Sequence, residues 1–234
     1  MIFIFDNIVA LIIMGTLIFA LAATQLRVQE TGMAQVSSHA AKTKALTLGQ
    51  WLDEDIISLG EDVPDNSARF DNPATGTFTI YRLNDEGNPE AKTVTYTTDW
   101  RFYSDTTIGG SPYRRATRYW VTQVGTIEVE VGDTTYDRPL FQLRRATSSW
   151  MSLPALFTAG DFTEDGRSAS TLSLFRIQLL DNDGVAFAAT DPLAPDQASY
   201  IRVDFSMVPE FELRREYLRE LFWTTTLKVR PFWG

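Results

Sequence analysis

The sequence predicts an α+β protein: a long N-terminal α-helix, apolar in its first half, with a C-terminal antiparallel β-sheet head packed on its second half. Three observations predict it. No proline occurs before Pro64, so no residue that breaks a helix interrupts the N-terminal segment. A charge-free run from Ile8 to Ala23 leads, after a polar stretch, into apolar residues at helical spacing. From Gly76 onward the period shortens to alternation, with turn residues between many short runs.

The first element begins MIFIFDNIVALIIMGTLIFALAATQ. With Met1 to Phe5 added, the apolar segment reaches the ~20 residues that a bilayer span requires. A cleaved signal peptide would open with a basic stretch, and here no Lys or Arg precedes the run. Ala20-Leu21-Ala22 matches a small-x-small cleavage site weakly, and helical sequence continues beyond it, so a retained membrane or bundle helix is expected. Orientation is not readable from charge, because Arg27 is the nearest cation and Lys42 and Lys44 lie farther on. Gly15 inside the run reads as a close-packing position, the usual role of glycine in membrane helices. Asp6 is the exception in this segment. An unpaired carboxylate among apolar neighbours must find a cation or take up a proton. Pairing with a cation and capping of the helix N-terminus at a membrane surface are both open, and they are compatible.

Ala45, Leu48, Leu52, Ile56 and Leu59 recur at three- and four-residue steps and line one helical face. Trp51 and Ile57 are expected to widen that stripe, and Asp53, Glu54 and Asp55 to lie on other faces. Gly60 and Pro64 supply the stop signal. A single helix from about residue 7 to residue 60 would be roughly 80 Å long at 1.5 Å per residue. Three regions follow: a transmembrane or filament-core half over 1–25, an amphipathic half over 26–62, and a β-rich head over 63–234.

In the head, strands are expected at Thr77–Tyr81, Val94–Thr98, Tyr119–Val124, Ile127–Val131, Leu140–Leu143, Leu172–Leu179, Tyr200–Phe205 and Thr224–Val229. Turns are expected at residues 84–88, Gly109-Gly110, Gly132-Asp133, Asp165-Gly166 and Asp183-Gly184. Ser152 to Gly160 reads as a loop around Pro154. Glu210 to Leu221, with alternating charges, reads as a short surface helix or a hairpin arm. Many short strands after one long helix imply an antiparallel sheet packed on that helix.

Composition narrows the function. The net charge of -9 and pI near 4.7 argue against nucleic acid as the main partner, because phosphate binding needs clustered Lys and Arg. Zero cysteines remove thiolate catalysis and Cys-based metal sites. One histidine, His39, removes most Ser-His-Asp and multi-histidine schemes. Asp181-Asn182-Asp183-Gly184 reads as a hairpin turn, since Leu179 stands where a calcium loop would place its first acid. Arg114, Arg115, Arg118, Arg144 and Arg145 read as cross-strand partners of Asp and Glu. No catalytic residue, cofactor or metal is expected.

Three stretches together resemble the type IV pilins and pseudopilins. They are NIVALIIMGTLIFALAATQ, KALTLGQWLDEDIISLGED, and FRIQLLDNDGVAFAATDPLAPDQASYIRVDFSMVPEF with WTTTLKVRPF. The last is similar to the C-terminal pattern of the larger minor pseudopilins: a strand, an Asp-x-x-Gly turn, a further strand and a final threonine-rich strand. Residues 70–149 are only loosely similar. Two departures stand out. No basic leader precedes Met1, so Met1 is read either as the mature residue or as the start of a chain processed differently. Phe5 occupies the position of the family's glutamate, with Asp6 beside it. The resemblance implies a filament subunit, anchored in the inner membrane through its helix before assembly and then part of an extracellular or periplasmic fibre. Its partners would be copies of itself or related pilins. The expected interface is Met1, Asp6, Ile8, Leu11, Ile12, Gly15, Ile18 and Phe19, with Asp6 facing the Met1 amine of a neighbour. The alternatives are a minor pseudopilin of a secretion or pilus system, and a single-span envelope protein with a β-rich binding or glycan-cleaving domain.

Overall fold

The computed structural model describes residues 2–58, 69–188, 191, 194–209 and 220–229, with side chains from Asn7 onward. Met1, Leu59, Gly60, Pro64 and nearly all of the Glu210 to Leu221 stretch therefore lie outside the described residues, as does the Asp6 side chain. Helix α1 runs Ile2–Ile57, 56 residues without a break at Gly15, Gly32 or Gly49. Threonine hydroxyls at Thr16, Thr24, Thr31, Thr43 and Thr47 donate back to carbonyls three or four residues earlier, which is how a polar residue is accommodated inside a helix.

Among the described residues, the head is built on one eight-stranded antiparallel sheet, with one short helix at Ala194–Gln197. Its strands are β1 Ala74–Leu83, β2 Pro89–Ile108, β3 Ser111–Val131, β4 Thr134–Ser148, β5 Met151–Ser152, β6 Phe162–Leu180, β7 Tyr200–Met207 and β8 Leu221–Lys228. Spatial order follows chain order except for β5, which pairs with β3. Each predicted run falls inside a strand, save that Thr224–Val229 passes the end of β8 by one residue, and the strands extend farther. β2 spans 20 residues and β3 21, and β3 joins two runs that the sequence separates. The join is a bulge between Gln123 and Gly125 that leaves Val124 exposed. Ile108 pairs with Ser111 around Gly109-Gly110, both at positive φ, the backbone that a two-residue hairpin requires. Asp165-Gly166 corrects the sequence reading. It is an irregularity inside β6, with Gly166 at φ 78°, because the ladder to β4 continues on both sides of it. Around Pro154, a loop is interrupted by β5 and by a 3₁₀ turn at Ala159–Asp161.

The sheet curls. Thr97 in β2 accepts a 2.9 Å hydrogen bond from the Ile177 amide in β6, although β3 and β4 separate those strands in the ladder. Tyr81 of β1 stacks on Tyr136 of β4 with ring centroids 3.8 Å apart. The hollow so formed holds the C-terminal half of α1. Leu48, Leu52 and Ile56 are buried with Trp100, Phe102, Tyr119, Phe141, Phe175 and Phe205 in one core. Each buried aliphatic side chain contributes about 1.5–3 kcal/mol.

Two expectations about this helical face change. Ile57 is exposed and does not widen the stripe. Asp55 lies on the buried face and not away from it. It is one residue before Ile56 and three after Leu52, so it shares their contact with the sheet once the hollow wraps around the helix.

Candidate assembly helix

The stripe from Ala41 through Ala45, Leu48 and Leu52 to Ile56 buries one side of α1, and this is where the head holds the helix. Three contacts fix its position. Arg145 on β4 donates through Nε and Nη2 to the two oxygens of Asp55 at 2.7 and 2.9 Å, a bidentate pair. Tyr119 on β3 donates its hydroxyl to Asp55, and Arg145 reaches Asp165 on β6 through Nη1. Burial, reinforced by the Asp55 carboxylate, pushes the Tyr119 hydroxyl well up, so it remains a donor. Burial works against the Arg145 charge, but the hydrogen bond and charge of Asp55 outweigh it and raise the guanidinium further. The second contact is the Arg167 guanidinium 5.7 Å from the Trp51 ring. The third is Gly49, where a Cβ would lie 2.8 Å from the Trp223 indole of β8, so only glycine permits this approach.

Among the described residues, nothing buries the other half of the helix. α1 is long and apolar enough to cross a membrane, and none of its most apolar 18-residue window is buried. Leu11 is 71 % exposed and Phe19 77 %, and Ile8, Ile12 and Ile18 are also exposed. A Cβ on Gly15 would have no atom within 4 Å. These six residues fall at three- and four-residue steps and so form one stripe of the projecting half. Of the expected interface, Met1 and the Asp6 side chain lie outside the described residues, which include the backbone of Asp6 in the first turns of α1.

Where the helix leaves the head there is a groove of about 680 Å³. Gly32, Met33, Val36 and Ala40 line it from the helix, and Thr171 and Val208 from the head. Its lining is predominantly apolar. Thr171 sits at φ 62°, a strained conformation for a β-branched residue, and its carbonyl accepts the Val208 amide at 2.8 Å. Sequence periodicity gives no sign of this groove, because residues 29–44 combine polar and small side chains without a stripe.

The arginines of the head behave as cross-strand partners. Arg114 faces Asp105 directly across β2 and β3 and donates at 2.6 and 2.8 Å. Arg118 holds Asp99 diagonally, and Arg144 reaches Glu164. Arg145 instead pairs with the helix, a contact between residues 90 positions apart that no local pattern reveals. Arg115 lies over the Trp150 ring. Asp181 accepts the Asp183 and Val185 amides, so residues 181–184 form a side-chain-stabilised turn. His39 is on the exposed surface of α1, and among the described residues no three acidic or histidine side chains gather as a metal site.

A rigid head grips one end of a rod, and the free end is apolar over several turns. In comparisons with known proteins, no family model, no curated protein and no solved structure matches the chain.

Proposed function

We propose that this protein is a structural subunit of a type IV pilus-like filament, with α1 as the element that assembles. The observation that carries this reading is the division of one unbroken helix into a half held by the head and a half that is apolar and, from Asn7 to Ala22, exposed. A soluble monomer rarely exposes so large a continuous apolar surface. Such a helix is stable inserted in a bilayer, and equally stable surrounded by copies of itself. The subunit would wait in the inner membrane and then enter a fibre, heads outward, in the periplasm or beyond the cell. It performs no chemistry in this reading and requires no cofactor. The β7–β8 end resembles the C-terminal pattern of the larger minor pseudopilins, so a subunit at a filament tip or in a secretion system belongs to the same proposal.

Electron microscopy of the full chain after detergent removal tests this. Uniform fibres are expected for a major subunit, and fibres only in the presence of related pilins for a minor one. Particles that stay monodisperse in lipid with every candidate partner, while the head binds or cleaves a glycan, would establish instead a single-span envelope protein.

A further inference from the structure

We propose that the groove where α1 leaves the head is the seat for the charge-free helix half of a second copy of this chain. The two helices run parallel with a stagger of 21 residues, so that residue n of the incoming copy lies level with residue n+21 of the receiving one. The inference rests on the assembly reading above and specifies its register.

Three independent features select this offset. The first is charge. Asp6 is the only charged residue before Arg27, and the two are 21 positions apart. A carboxylate carried into an apolar bundle needs a cation, and Arg27 is exposed on the helix just before the groove begins. The second is length. The run between the polar residues Asn7 and Thr24, interrupted by Thr16 alone, occupies sixteen positions, and the helical wall of the groove, from Gln29 to Lys44, occupies the same number at the same offset. The third is size. Leu11, Gly15 and Phe19 recur every four residues on the incoming face, and at +21 they meet Gly32, Val36 and Ala40, all of which line the groove. Large meets small, small meets large, and large meets small again. That is the alternation by which two helices interlock at close range. The antiparallel arrangement over the same residues sets Phe19 level with Met33 and Gly15 level with Ser37, and it places Asp6 level with Leu46. It has neither the size match nor the charge match. At 1.5 Å per residue, the parallel stagger displaces successive copies by about 32 Å along the helix axis.

The chain has no cysteine, so introduced thiols report contacts without background. A disulfide forms only where Cα atoms come within about 7 Å. Full-length Ile12→Cys and Met33→Cys proteins, co-assembled in lipid and oxidised, are expected to give a cross-linked dimer, because positions 12 and 33 are level at this stagger. Ile12→Cys with Val28→Cys, five positions out of register, is expected to give none. Charge reversal supplies the second reading. Asp6→Arg and Arg27→Asp should each lower assembly at least tenfold, and the double variant should restore it. Fibres that form without the 12–33 cross-link, or with the 12–28 one, overturn this register and leave the assembly reading intact. A groove filled by lipid or by another protein would give that same result. If the unsubstituted chain forms no fibres alone or with related pilins, the assembly reading fails and the register with it.

Discussion

At the scale of single residues, two buried aspartates each tie several elements of the head together. Asp55 binds the helix to β3 and β4 through Tyr119 and Arg145, and removing it leaves a buried guanidinium with Asp165 alone. Asp55→Ala is expected to destabilise the head by about 3 kcal/mol, at the lower end for a broken buried pair because one partner survives. Urea denaturation followed by tryptophan fluorescence measures this. Asp204 joins three strands, accepting from Arg176 on β6 at 2.7 Å, from Arg202 on β7 at 2.9 Å and from Thr224 on β8. Burial opposes its charge, but these three donors prevail and hold the carboxyl below the usual carboxylate range. A group depressed in the folded state contributes stability that is present above its unfolded pKa, about 3.9, and is lost as the pH falls through the folded value. Thermal melts of the native protein should therefore fall more steeply below about pH 4 than those of Asp204→Asn, which should be less stable at pH 7. Neither aspartate announces itself in the sequence. The Asp53, Glu54, Asp55 run looks like a solvated face, and Asp55 is buried only because strands distant in sequence bring Arg145 and Tyr119 over it.

The elements divide into those set by local pattern and those set by pairing. Absence of proline and the Leu48, Leu52, Ile56 spacing are local, and they suffice to indicate a single helix with one buried face. The positions of the strands are equally legible, since alternation and turn glycines act within a few residues. Strand length is not. β2 continues past the expected end at Thr98 to Ile108, through Asp105, whose pairing with Arg114 across the ladder belongs to the sheet. Likewise Gly166 signals a turn, but the β4 ladder on either side keeps β6 extended. Gly49 shows how an element's docking is decided by a residue with no side chain. Gly49→Ala gains about 1 kcal/mol of helix propensity and forces its methyl against Trp223, which is stacked on Phe205 and has little room to move. A net loss of about 1–2 kcal/mol is expected from such overpacking. Gly15→Ala, with no atom near its Cβ, should leave the melting of the head unchanged. The comparison of the two variants by differential scanning calorimetry separates docking from propensity.

For the whole molecule, the physical question is what keeps a helix of roughly 84 Å intact when only its second half is packed. Helices in proteins owe little to propensity alone, and most of their stability comes from a buried face. The projecting half has no such face within the monomer, so its surroundings must supply one. A bilayer would supply it, and under the proposed function so would neighbouring copies. The head, by contrast, is complete without that half, because the buried face of the helix begins at Ala41. Removing residues 1–25 should therefore produce a soluble, monomeric head. Its melting temperature should stay within about 2 °C of the full chain's, since no buried contact is removed. Size-exclusion chromatography with light scattering would show the loss of assembly, and calorimetry the retained fold. If the truncated chain still formed ordered polymers, the head and not the helix would be the assembling element, and the reading of α1 as the assembly device would be wrong. If the head unfolded, the projecting half would have to support the core through contacts that its exposure does not indicate.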